Sequence, residues 1–191
     1  MGFLDSIMGR TKPVKSNLDD LFALPTAALT LQAAMNMVGT GEGAVCFKAA
    51  EGAAFSTMQS EVEALLAADG GPAEQVRDSY GYTWLVCRHD ADDMSGLVTE
   101  LHAVNSSLEQ AGFGPALLCS VVGFTGEVSG TQRTMGLVYL YKRGTFYPFA
   151  PLPGQRRDNA LELQTRGVIG GDLKIESDLA RWFPVWGAPG L

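Results

Sequence analysis

Apolar residues recur along the chain in two rhythms. Over residues 53–68, Phe55, Met58, Val62, Leu65 and Leu66 fall three or four apart and share one helical face, and Gly70-Gly71-Pro72 ends the run. Met94, Leu97, Val98, Leu101, Val104 and Leu108 repeat that spacing as far as Ala111, with Asp92 or Asp93 as N-cap and Gly112 as stop. A third helix runs from a cap at Asp158 to about Ile169, where Gly170-Gly171 follows. Short apolar runs bounded by turn residues read instead as strands: 43–48, 74–78, 82–88, 115–124 and 134–142, the last two joined by a glycine-rich polar loop. Asn17 to Phe22 can open a helix. Beyond it, Leu24, Ala28, Leu31, Met35 and Val38 keep helical spacing, but the alanine, leucine and threonine of 28–33 suit a strand equally, and the pattern does not separate the two.

Strand, helix, two strands, helix, two strands, helix is an order in which hairpins outnumber parallel crossovers. It predicts a single α+β domain, a mainly antiparallel sheet with helices packed on one face. Residues 1–16 read as a short amphipathic, basic segment ahead of a domain over 17–191 that ends in an aromatic tail. A length of 191 residues with 46% hydrophobic positions is enough to build one core without a disulfide or metal staple. The uncharged stretch 21–41 includes Pro25, Thr26, Thr30, Gln32, Asn36 and Thr40, too polar for an isolated membrane span. Without a secretory pattern at its start, the chain is expected to be soluble and cytoplasmic. Cys46, Cys87 and Cys119 each lie in an apolar run at spacings that fit no zinc motif, so they are expected as buried thiols.

Charge is distributed unevenly. Residues 17–132 hold 15 acids against Lys48, Arg77 and Arg88, a net of −12, whereas 133–166 carry +4 within a chain of net charge −7. That balance excludes bulk nucleic-acid binding and leaves a local site for an acidic partner. In residues 1–10, Phe3, Leu4, Ile7 and Met8 share a face and Arg10 follows, with Lys12 and Lys15 beyond, a pattern that suits weak contact with anionic lipid or a partner helix. Met1-Gly2 with Ser6 also spells a myristoylation pattern, idle in a bacterial composition.

Catalytic and cofactor patterns fail one by one. Gly39-Thr-Gly-Glu-Gly43 precedes a strand rather than a helix, so no helix N-terminus would hold a phosphate. His89-Asp90-Ala-Asp92-Asp93 gathers metal-ligand types where a helix start wants carboxylates for capping. Gly-x-Ser-x-Gly is absent, and no cofactor is expected. A hydrolase would need His89 or His102 beside a thiol or carboxylate in a cleft. Two interaction candidates remain. One is Lys142, Arg143, Phe146, Tyr147 and Phe149 with Arg156 and Arg157; the other is the tail from Arg181 to Leu191, with Trp182, Phe183 and Trp186. Ordinary core packing and a docked tail are the alternative for both.

The words Met-Gly-Phe-Leu-Asp, Asn17-Leu-Asp-Asp-Leu-Phe-Ala-Leu-Pro, Tyr80-Gly-Tyr-Thr-Trp, Leu101-His-Ala-Val-Asn-Ser, Tyr139-Leu-Tyr-Lys-Arg-Gly-Thr-Phe-Tyr-Pro-Phe and Trp182-Phe-Pro-Val-Trp-Gly span nearly the whole chain. In them the chain resembles the bacterial PspA-associated protein PspAB family. The resemblance implies a cytoplasmic accessory of the phage-shock envelope-stress response, peripheral to the inner face of the cell membrane. Its implied partners are the coiled-coil stress protein PspA and a membrane zinc peptidase. It supplies no catalytic or ligand residues. The element order is also similar to type III secretion chaperone folds. The expected function is a non-enzymatic adaptor or regulator; the alternatives are a chaperone-like homodimer that holds unfolded or helical segments, and an unrecognised hydrolase.

Overall fold

A computed structural model describes residues 17–48, 64 and 74–191. The segment 1–16 lies outside them, as does the helix expected over 53–68 save Ala64. The ambiguity over 24–38 resolves as a helix followed by a strand. Leu24, Ala27, Leu31 and Met35 are buried along α1 (Leu24–Met35), which follows a 3-10 turn over Leu18–Ala23. Asn36 closes α1 in the left-handed region at φ 53°, its N–H donating to the Gln32 carbonyl at 3.1 Å. The chain then enters β1 (Met37–Phe47), longer than the run that reads as a strand. Gly41 has φ +77°, and a Cβ there would meet the His89 carbonyl oxygen at 2.3 Å. The glycines therefore bend the strand instead of ending it, and the register shifts between Gly39 and Gly43.

The remaining elements are β2 (Glu74–Arg77), β3 (Thr83–Arg88), α2 (Met94–Gln110), β4 (Leu117–Val128), β5 (Thr131–Leu140), β6 (Thr145–Phe149), the two-residue strands β7 (Pro151–Leu152) and β8 (Arg156–Arg157), and α3 (Asn159–Ile169). Asp93 and Asp158 cap α2 and α3, accepting from the Gly96 and Leu161 amides. Six strands form one sheet in the order β2-β3-β1-β4-β5-β6, every neighbouring pair antiparallel. The expected α+β architecture is the one observed. The expected loop between the fourth and fifth strands is instead a two-residue turn, Ser129-Gly130, both at positive φ, so the hairpin runs on to Val128 and Thr131. No helix among the described residues is long and apolar enough to cross a membrane.

Alternation along the strands makes two cores. Val45, Cys87, Val122, Phe124, Leu137 and Tyr139 face the helices, against Leu31, Leu97, Leu101 and Leu161. The opposite face is apolar too, and its register sets out rows. The first is Val76, Trp84, Cys46, Cys119, Leu140; the second is Val86, Ala44, Val121, Val138, Tyr147; the third brings Gly123, Gly136 and Phe149 together. The C-terminal segment covers the second and third rows. Trp182 stacks on Tyr147 with centroids 6.0 Å apart, Trp186 meets Phe149 edge-on at 4.9 Å, and Leu191 lies on Gly136. The paired glycines leave the flat spot this needs: a Cβ on Gly136 would come within 3.0 Å of Leu191, and one on Gly123 within 2.9 Å of the Gly190 carbonyl. Burial of Trp182 contributes roughly 2–3 kcal/mol.

Hydrogen bonds fix that segment at both ends. Residues 174–176 close the free edge of β6, Phe146 N–H donating to the Lys174 carbonyl and Glu176 N–H to the Phe146 carbonyl. The Glu176 carboxylate is buried. Desolvation pushes its pKa up, but bonds from Arg143, the Asp178 amide and Thr145 outweigh this and hold it below the usual range. Further on, Arg157 donates to the Trp182 carbonyl and, through Nε at 2.9 Å, to buried Glu162 of α3, while its guanidinium lies over Phe149. Arg157 is thus a structural cation, and the neighbouring Arg156 is exposed, its Nε donating only to the Pro153 carbonyl.

Removing Arg157 leaves the Glu162 carboxylate buried without its cation. Arg157→Ala is expected to cost about 2–4 kcal/mol, less than a fully buried pair because its side chain keeps some solvent. Arg156→Ala should stay within about 0.5 kcal/mol; urea unfolding of the two variants checks the contrast. A second expectation concerns His89, which joins the end of β3 to α2 through Asp93 (3.0 Å) and Glu100 (2.8 Å). Partial burial pulls its pKa down, but the two carboxylates outweigh burial and hold it above 6.5. A raised folded pKa gives stability that is complete below the unfolded value and lost as pH rises through the folded one. The melting-temperature gap between wild type and His89→Gln should therefore be wider at pH 6 than at pH 8.

Candidate functional site

The first row of the second face lies under a cleft beside the C-terminal segment. Trp84 from β3, Cys46 from β1, Cys119 from β4 and Leu140 from β5 form the floor of a cleft of about 620 Å³. Its walls come from three sources. The β2–β3 turn contributes Asp78, Tyr80 and Tyr82, the β5–β6 turn contributes Lys142 and Arg143, and the C-terminal segment contributes Arg181 and Phe183 to Trp186.

Each wall is held in place. The Asp78 carboxylate accepts from the Tyr80 and Tyr82 amides and from the Trp84 indole at 2.9 Å, so one side chain shapes the turn and orients the floor. Lys48 lies over the Tyr82 ring at 5.7 Å. Lys142 donates through Nζ to the Pro115 carbonyl and stays exposed, and Arg143 is tied to Glu176. Arg181 pairs with Asp178, both in solvent. Tyr147 donates its hydroxyl to the Phe183 carbonyl at 2.7 Å, and burial, the first cause, pushes that phenol up, so it stays protonated. Phe183 itself is 58% exposed and Tyr80 49%, the latter accepting from Gln155 through its hydroxyl.

An aromatic cleft with lysine and arginine at its rim is suited to hold an apolar ridge flanked by carboxylates. The cations stand out because most of the chain before them is acidic. Little of this belongs to acid–base or nucleophilic chemistry. The Cys46 thiol shares a hydrogen bond with Cys119 and is buried, which pushes it up, away from thiolate. Among the described residues neither histidine lines the cleft. His89 does meet two carboxylates, as the hydrolase reading asks, but at the start of α2; His102 reaches Asp19 and packs on Phe22. Among the described residues no group of three or more His, Cys, Asp or Glu is placed to hold a metal.

The residues singled out in the sequence part company here. Lys142, Arg143, Tyr147 and Trp186 come together at the cleft. Phe146 and Phe149 do not present a surface: Phe146 faces the helices at 1% exposure and Phe149 lies under Trp186, because β6 is a buried strand with alternating faces. Trp182 is buried against Tyr147, and Arg156 and Arg157 do not line the cleft, although Gln155 donates to the Tyr80 hydroxyl and Arg157 to the Trp182 carbonyl beside it. Phe3, Leu4, Ile7, Met8 and Arg10 lie outside the described residues. Arg181 and Phe183 of the tail candidate also line the cleft, whereas the pattern reading missed Tyr80, Tyr82, Trp84 and Leu140. Of these, the run Tyr80-Gly-Tyr-Thr-Trp carried a signal, three aromatics within five residues around a turn.

No curated protein and no solved structure matches the chain, so the likeness to type III secretion chaperones rests on element order alone. A family model does match. PspAB, described as PspA associated protein B, covers residues 1–190 of the 191, and the chain belongs to that family.

Proposed function

We propose that this protein is a non-enzymatic adaptor of the phage-shock envelope-stress response, which uses the cleft to hold an acidic, apolar-faced segment of a PspA-type coiled-coil partner. The observation that carries the reading is the cleft over the first sheet row, lined by Tyr80 and Phe183 with Lys142 and Arg181, in a chain of net charge −7. The family description supplies the partner's class. Helices that pack in coiled coils carry an apolar seam flanked by charged positions, and a groove of this width and character is how such a face is received. Residues 1–10 would add a weak contact with anionic lipid at the cytoplasmic face of the membrane, which places the adaptor beside a membrane peptidase. A chaperone-like dimer would use the same floor, but for segments of any charge.

The test is the affinity of the purified full-length chain for the purified PspA-type protein of the same organism. Lys142→Glu with Arg181→Glu is expected to weaken binding about tenfold at low salt, with the gap closing as salt rises. Phe183→Asp should weaken it about 30-fold at all salt concentrations, as the loss of an aromatic anchor does. Arg156→Glu should bind as wild type. Cleft variants that bind like wild type would remove the cleft from the reading, and absence of binding by wild type would remove the adaptor. Equal affinity for unrelated unfolded segments would favour the chaperone.

A further inference from the structure

We propose that Cys46 and Cys119 form a dithiol modification site on the floor of the cleft, which closes to an intramolecular disulfide by exchange with small disulfides such as oxidised glutathione. Four observations converge on this pair. The two residues are direct partners on adjacent antiparallel strands, β1 and β4. Directly opposed residues have Cβ atoms about 4.5–5.5 Å apart, and a disulfide needs about 3.5–4.5 Å with Cα atoms within ~6.8 Å, so closure asks for about 1 Å of side-chain approach. Both residues belong to one buried cluster on the same face of the sheet. The β1–β4 register is irregular immediately after Cys46, which gives the backbone the slack to approach.

The fourth observation is access. Both residues line the cleft, although they are only 3% and 7% exposed. Cys87, the third thiol, faces the helices at 0% exposure and does not line the cleft. Its thiol is pushed up first by burial and then by the neighbouring Glu100 carboxylate. The chemistry is therefore expected to discriminate among the three. In the exchange, the more exposed Cys119 gives up its proton as it attacks one sulfur of the small disulfide, which forms a mixed disulfide and releases the first small thiol. Cys46 then displaces the second. The two protein thiols lose two electrons and two protons, and one small disulfide is reduced to two thiols.

The site does not depend on the partner reading and can be tested without a partner. The native, reduced full-length chain is treated with oxidised glutathione, quenched by alkylation and read by intact mass and non-reducing peptide mapping. The expected result is a monomer two mass units lighter, with Cys46 and Cys119 linked, Cys87 alkylated after unfolding, and full reversal by dithiothreitol. Cys87→Ala should behave as wild type, and Cys119→Ala should end as an unlinked thiol at Cys46. Three free thiols after oxidant treatment, a link through Cys87, or a link between two chains would each overturn the proposal. Because wild type carries the decisive result, a variant that fails to fold does not weaken the test.

Discussion

A single buried carboxylate joins the two halves of this molecule. Glu162 belongs to α3 on the helical side, yet it accepts from the Ala150 amide beyond the end of β6 and from the Arg157 guanidinium. Arg157 in turn reaches the Trp182 carbonyl on the far face. Helix layer, sheet end and C-terminal segment therefore meet through one ion pair with almost no solvent on the acid. A charge removed from water in this way is costly when either partner is lost, so the pair fixes the geometry of the second face as firmly as the packing above it does. Glu176 does the same at the β6 edge with Arg143 and Thr145. Between these anchors the tail crosses the second and third rows, and the cleft lies beside it over the first.

This explains why the local parts of the fold were readable and the site was not. Helix α2 announces itself through Asp93 and the run from Leu97 to Leu108, since capping and 3.6-residue spacing are properties of consecutive residues. The same holds for α3 and its Asp158 cap. Composition could not divide α1 from β1, because alanine, leucine and threonine serve both; the division is made at Asn36, a residue that tolerates the left-handed region. Glycines misled the reading in β1 and in the β4–β5 hairpin. There Gly41 and Gly126 permit close approach of His89 and of Asn36 and Met37, within strands rather than in a loop.

The cleft depends on register, which no local pattern carries. Trp84, Cys46, Cys119 and Leu140 are scattered over four strands and become neighbours only when the sheet is assembled. A slip of one residue would turn them all to the helical side. The aromatic stretch from Tyr139 to Phe149 shows the converse. Read as a string it is the densest recognition surface in the chain, but strand alternation sends Tyr139 and Phe146 into one core and Tyr147 and Phe149 into the other.

The order in which the chain leaves the ribosome gives the Gly123–Gly136 seat one more consequence. All six strands and α3 are synthesised before Trp182, Trp186 and Leu191, which cover the second face. At ~5–20 residues per second, the interval between Phe149 and Trp182 lasts on the order of seconds. Until then Val121, Val138, Tyr147 and Phe149 lack the cover that Trp182, Trp186 and Leu191 give them. Nascent chains of this protein pass through a sticky stage that the finished molecule never displays, and slower translation of the last turn would lengthen it.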